Sequence, residues 1–279
     1  MKKILVPVDF SPLCESLIDY VAVMGGVLQV GEVILIKAFH ISSLALLLPS
    51  TDMLLLSVDE INNERGFAQK RVDDLATYLR RKSKNNLIVN SYLVEASWQT
   101  AIEETISIEE PDLVVIGHDA QHQDAEDTWS GRIIPFAQQC QVPVLLIPYG
   151  AIYSVPKNIL IPTTFENLER LGSFKKLFQS KLWRSVTITV LHIKAQQSTV
   201  EVKKEQLESL QNYLLGFFYQ IVEISENNIA GAILDFADQR AVDLIFALPA
   251  KHSFLHQFFY QGITRPFALH AKQPVLLLK

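Results

Sequence analysis

Two periods of apolar residues alternate along this chain. Residues 3–8 form a short, nearly continuous apolar run, the pattern of a parallel strand covered on both faces. Ser11-Pro12 follows, with a hydroxyl at the helix N-cap and proline at the first helical position. Leu13, Leu17, Val21, Met24 and Leu28 then recur near helical spacing, and Gly25-Gly26 falls near that helix's end. Residues 33–39 predict a second strand. Residues 63–82 predict a long helix that buries Phe67, Val72, Leu75 and Leu79, and residues 87–94 an alternating third strand. A helix over 98–107, a strand over 113–117, a helix over 132–139 and a strand over 144–147 complete the first half. The cycle then restarts, with strands over 159–162, 186–192, 220–224, 244–247 and 275–278. The predicted helices between them lie near 168–180, 203–219, 229–239 and 264–271. Strands alternating with helices predict an α/β fold, a parallel sheet with helices on both faces.

The wording repeats as well as the pattern. Ile4 to Phe10 reads ILVPVDF, and Ile159 to Phe165 reads ILIPTTF. PDLVVIG from Pro111 and VPVLLIP from Val142 answer to VDLIFAL from Val242 and QPVLLLK from Gln273. Asp112/Asp243 and Pro143/Pro274 share one offset of 131 residues (243 − 112 and 274 − 143). A fixed-period repeat decides the fold before other signals are weighed. It predicts two copies of one domain, residues 1–150 and 151–279, joined near residues 149–156, each of ordinary domain size. One stretch breaks the symmetry. Residues 41–60 of the first copy carry Leu44, Leu46, Leu47, Leu48, Met53, Leu54, Leu55 and Leu56 around Pro49, with no counterpart in the second. Such an apolar insert covers its own domain, a ligand or a protein partner.

Composition narrows the classes. Of the 279 residues 49% are apolar and 20% charged, so each half can bury a core, yet no apolar run reaches the roughly 18 residues a membrane span needs. The start MKKILVPVDF is broken by Asp9, Pro12 and Glu15 before a signal-peptide core forms, which predicts a cytoplasmic protein. Cys14 and Cys140 fall in predicted helices and read as reduced core thiols. Residues 1–150 hold 20 acidic against 11 basic side chains, and residues 151–279 hold 10 against 14. That asymmetry suits self-association, or follows from drift between the copies. No basic stripe interleaved with aromatics points to nucleic acid.

The V-P-V-D-F start, the strand ending Ile116-Gly117 and the closing V-P-V-L-L-I-P resemble the universal stress protein family, over nearly the whole chain as two tandem domains. The resemblance implies two five-stranded, adenine-nucleotide-hydrolase-like units of strand order 3-2-1-4-5. It also implies that their last strands pair antiparallel to make a pseudo-dimer. A homodimer of tandem chains is the expected assembly. Many members bind ATP through G-x2-G-x9-G-[ST], whose glycines let backbone N–H groups and a helix N-terminus meet phosphate. The implied cleft of the first domain takes Pro7, Val8 and Asp9 from strand one and Ala38 from strand two. Ile116 and Gly117 come from strand four, then Ala120, and Ser130, Gly131 and Arg132 from the next helix start.

The signature is damaged here. Gly117 fits, but Ala120 stands at the second glycine, and Ser130-Gly131 inverts the final pair. Asp119, Asp124, Glu126 and Asp127 crowd the loop, each like-charge contact with a triphosphate costing roughly 1 kcal/mol or more. Magnesium or Arg132 would relieve part of that repulsion. In the second copy Thr164 replaces Asp9, Ala247 replaces Gly117, and Phe254, Phe258, Phe259 and Tyr260 fill the loop, which predicts no nucleotide there. The chain therefore reads as a non-enzymatic stress-response protein acting through a ligand or a partner, with no tightly held cofactor. The alternatives are ATP binding, with slow hydrolysis, in the first domain, or a ligand-free scaffold using the apolar insert.

Other polar clusters carry weaker signals. His118/His122 and His252/His256 are each spaced for one metal on a helix, but read better as solvated loops, so no metal is expected. His40 and His192 each follow a second strand and read as equivalent structural histidines. Cys14, near a helix N-terminus, is a candidate for a lowered pKa. Asp9 either meets a ligand or caps the helix with Ser11.

Overall fold

The computed structural model describes residues 3–40, 58–83, 87–118, 130–165, 168–173, 183, 185–194, 202–248 and 271–279. The chain divides into two compact units, Lys2–Pro111 and Asp112–Lys279.

In Lys2–Pro111 the elements run β1 (Lys3–Pro7), α1 (Pro12–Leu28), β2 (Glu32–Ala38), α2 (Val58–Lys82), β3 (Ile88–Val94) and α3 (Trp98–Glu109). Ser11 is the N-cap of α1 and Pro12 opens it, as the sequence predicts. Both α1 and α3 stop on a left-handed residue, Gln29 (φ 53°) and Glu110 (φ 45°), whose N–H bonds a carbonyl of the last turn. The strands are parallel in the order β3-β2-β1. β1 and the middle of β2 are buried, whereas β3 is exposed or half-buried except at Val89.

In Asp112–Lys279 they run β4 (Leu113–His118), α4 (Ser130–Gln139), β5 (Val144–Pro148) and β6 (Asn158–Thr163), then a short 3-10 turn (Leu168–Arg170). β7 (Thr187–Lys194), α5 (Lys204–Tyr213), β8 (Phe218–Ser225), α6 (Ile229–Gln239), β9 (Leu244–Ala247) and β10 (Val275–Leu277) follow. Among the described residues the strand order is β4-β5-β10-β9-β6-β7-β8. Within it β8-β7-β6-β9-β10 is the expected 3-2-1-4-5, entirely parallel. The exception in direction is β5 against β10, antiparallel with Leu145 opposite Leu276. This is the pairing of the last strands that the family resemblance implies. It also explains why the fourth and fifth strands of the first repeat belong to the unit holding the second. Asp243, one of the repeated aspartates, accepts bonds from the N–H groups of Lys157 and Asn158 at 2.8 and 2.9 Å. It therefore fixes where β6 begins.

The structure corrects several sequence expectations. α2 begins at Val58, five residues before the predicted start, so residues 58–60 of the apolar insert are helical and residues 41–57 lie outside the described residues. Phe67 is 74% exposed rather than buried. It precedes Val72 by five positions, about 140° around a helix, and the inward stripe is Ile61, Val72, Ala76 and Leu79. The helix predicted over 203–219 ends at Tyr213, because Gly216 at φ 94° turns the chain straight into β8. Cys140 lies one residue past α4. Most of the helix near 168–180, and that over 264–271 except Ala271, lie outside the described residues.

The β5–β10 seam yields a contrast in stability. Leu146 is fully buried opposite Val275, whereas Ile152 is 89% exposed. Leu146→Ala is expected to cost about 2–5 kcal/mol and Ile152→Ala under about 0.5 kcal/mol, read from the urea midpoints of the two variants.

Candidate functional site

The carboxyl ends of parallel strands are where open α/β folds place ligands. In Lys2–Pro111 that end is built by a turn. Val8 continues the strand, its N–H donating to the carbonyl of Ile36 at 2.8 Å. The chain then reverses through Phe10, whose φ of 66° is left-handed and rare for a bulky residue. Asp9 holds the turn, because its Oδ1 accepts from the Ser11 N–H at 2.9 Å and from the Ser11 hydroxyl at 2.7 Å. The Ser11 hydroxyl is thus spent on Asp9 and makes no capping bond to α1, contrary to the sequence expectation. Arg71 reaches over from α2. Its Nη2 donates to the Phe10 carbonyl at 2.9 Å, and its guanidinium carbon sits 4.6 Å from the ring centroid. The Lys37 ammonium, from β2, lies 5.5 Å from the same centroid. Two cations therefore attend one aromatic ring, a favourable use of its quadrupole.

Burial lowers the Lys37 pKa from its ordinary value, opposed by the Asp9 and Cys14 charges. Burial pushes the Cys14 thiol up to about 12, with Asp9 adding to the rise. This overturns the lowered pKa expected from its place at a helix start, since desolvation of the thiolate outweighs the helix dipole.

The second repeat has the same turn with different chemistry. In Asp112–Lys279, Phe165 takes φ 64°, and its N–H donates to Thr163 Oγ1 at 2.8 Å. Its carbonyl accepts from Gln206 Nε2 of α5 at 3.3 Å, as that of Phe10 accepts from Arg71. Its ring lies 5.0 Å from that of His192, whose Nδ1 donates to the Thr163 carbonyl at 3.1 Å. Register sets the correspondence. β1 pairs Pro7 with Ile36, and β6 pairs Pro162 with Leu191 and Thr163 with His192, so His192 answers to Lys37. The expected match of His192 with His40 is off by three residues.

The predicted cleft residues fall into two groups. Pro7 and Val8 are buried and Asp9 and Ala38 half-buried, together in Lys2–Pro111. Ile116 and Gly117 are buried on β4 in Asp112–Lys279, opposite Leu146 and Ile147 of β5. Ser130, Gly131 and Arg132 open α4 in that same unit, and Ala120 lies outside the described residues. His118, expected in a solvated loop, is the last residue of β4 and only 1% exposed. His122, His252 and His256 lie outside the described residues, and no group of three potential metal ligands occurs among those described. Sequence reasoning missed Phe10, Lys37 and Arg71. The aligned phenylalanines of ILVPVDF and ILIPTTF were the available signal.

No family model and no curated protein matches the sequence. Solved structures do. A universal stress protein from Archaeoglobus fulgidus is 13% identical with a TM-score of 0.66, over 99% of this chain and 96% of that one. A functionally unknown protein from Pseudomonas aeruginosa is 15% identical with a TM-score of 0.59, over 100% and 92%. A candidate universal stress protein of Pseudomonas aeruginosa is 14% identical with a TM-score of 0.55, over 100% and 93%. The fold is that of the universal stress proteins. Against the nucleotide signature that the resemblance to universal stress proteins brings, the end of β1 offers an acid, a turn and two cations.

The Cys14 environment sets a reactivity. A thiol with a pKa near 12 stays protonated at pH 8 and attacks alkylating agents poorly. Iodoacetamide at pH 8 is expected to leave Cys14 unmodified in the folded protein and to label it fully in urea, as read by peptide mass spectrometry.

Proposed function

We propose that this chain is a non-enzymatic, tandem member of the universal stress protein family that acts in the stress response by sensing a small ligand. The fold likeness over the full chain supports the family, and the two repeats supply the rest. The observation that carries the reading is their asymmetry. The first repeat keeps Asp9, Lys37 and Arg71 around its turn, where the second has Thr164, His192 and Gln206. Sensing therefore belongs to the first repeat, and the second serves as a structural partner copy.

ATP is the disfavoured ligand. Ala120 stands in for a phosphate-facing glycine, the Ser130-Gly131 order is inverted, and the stretch from Gly117 to Ser130 carries four carboxylates. The remaining cleft, Pro7, Val8, Asp9 and Ala38, suits a smaller molecule. The apolar insert, residues 41–60, supports a second reading as a protein-binding scaffold. The protein is further read as a cytoplasmic homo-oligomer. Exposed Ile88 and Tyr92 on β3, and Phe218 and Ile221 on β8, support self-association. No helix among the described residues is long and apolar enough to cross a membrane.

Thermal denaturation with ATP and magnesium separates these readings. A binder at 100 times its dissociation constant gains about 2.7 kcal/mol, several degrees in midpoint. An unchanged midpoint is the expected outcome, and a saturable rise would replace this reading with ATP binding.

A further inference from the structure

The two repeats separate what the turn needs from what the first repeat adds. The turn needs a helix side chain on the phenylalanine carbonyl and a second-strand side chain against the ring. Gln206 and His192 meet both needs without a guanidinium or an ammonium. Arg71 and Lys37 meet the same needs and bring two cations to the strand ends. Lys37 is half-buried, and among the described residues its ammonium has neither a hydrogen bond nor an ion pair; it lies over the Phe10 ring and feels the Asp9 charge. Asp9 does not neutralise it by direct contact, and its Oδ1 accepts from Ser11. Among the described residues Arg71 commits Nη2 to the Phe10 carbonyl and leaves the rest of its fork to other acceptors. A partly desolvated ammonium and a guanidinium that share one aromatic ring bring two cations to the same strand ends, and each hydrogen-bonds oxyanions well, the guanidinium through its planar fork and the ammonium through its rotating donors. Burial already lowers the Lys37 pKa, and an anion at this place would offset that cost.

We propose that Lys37 and Arg71, arranged around Phe10 at the carboxyl ends of β1 and β2, bind the phosphate or carboxylate group of a small molecule. The inference rests on reading the first repeat as the ligand-bearing copy, and it names the chemistry of that ligand. It places the anion on the second strand and second helix, rather than on the loop that follows β4.

The test titrates inorganic phosphate and, separately, succinate into the full chain against sodium chloride of equal ionic strength, following the thermal midpoint. Lys37→His and Arg71→Gln introduce the residues of the second repeat, which support the same turn there, so both variants are expected to fold. A saturable rise with either oxyanion, weakened about tenfold or more by each substitution, supports the proposal and tells phosphate from carboxylate. A response to neither oxyanion, or one that survives both substitutions, overturns it. This outcome is independent of ATP. If ATP with magnesium raises the midpoint equally in wild type and in both variants, the reading of a non-nucleotide sensor fails. The oxyanion site is then decided by the phosphate and succinate arms alone.

Discussion

A left-handed phenylalanine closes the first strand of each repeat, and the surroundings of the candidate site follow from it. A non-glycine residue in that region costs about 1–2 kcal/mol, so it persists only where neighbours over-determine it. Phe10 and Phe165 are held from three directions. A side chain ahead of the phenylalanine accepts a backbone N–H of the turn, Asp9 from Ser11 and Thr163 from Phe165 itself. A helix side chain takes the carbonyl, from Arg71 or Gln206. A second-strand side chain meets the ring, Lys37 or His192. The turn aims the chain away from the strand, and in the first repeat it sets α1 off from Ser11 and leaves Asp9 at the strand end.

Comparison within one chain then sorts structure from chemistry without any relative. The backbone angle, the carbonyl bond and the ring contact are common to both copies, so they belong to the fold. The charges are not. Keeping an ammonium half out of water costs free energy, and a histidine at the equivalent place shows that the turn does not require it. The second repeat has Thr164 at the place of Asp9, so a carboxylate there is also particular to the first copy. Asp243 shows the converse. It is repeated in the sequence, yet its oxygen is spent on the N–H groups that begin β6.

The fold was legible because its signals are local and doubled. Continuous apolar runs marked the buried strands, and the repeat of ILVPVDF as ILIPTTF marked two equivalent strand-and-turn pieces. The antiparallel seam came from the family resemblance, not from the residues. Errors fell where one local signal misled. Phe67 is apolar but off the inward stripe of α2, and the helix predicted over 203–219 ends at Tyr213, short of the turn at Gly216. The site was half legible. Asp9 stood out as a polar residue after an apolar strand. Lys37 read as an unremarkable strand residue, and Arg71 lies 61 positions from the carbonyl it binds. His40 was matched to His192 because each is a histidine near the end of a second strand. The offset that aligns Pro7 with Pro162 also aligns Lys37 with His192 (162 − 7 = 192 − 37 = 155), and strand register agrees.

The seam between β5 and β10 sets which surfaces remain for function. β10 has β9 on one side and β5 on the other, so these short strands, buried on both faces, present no edge to pair with a stranger. Among the described residues β8 pairs with β7 alone in Asp112–Lys279, and β3 is at the end of the order β3-β2-β1 in Lys2–Pro111. On these strands Phe218, Ile221, Ile88 and Tyr92 are exposed. In the order β3-β2-β1 the strand ends that hold Asp9 and Lys37 lie away from the β3 edge, since β1 is at the far end and β2 has partners on both sides. Association through an edge strand and ligand binding at the strand ends therefore make separate demands on Lys2–Pro111, linked through α2, which carries Arg71 to the Phe10 carbonyl and accepts the Ser91 hydroxyl of β3 at Asp73.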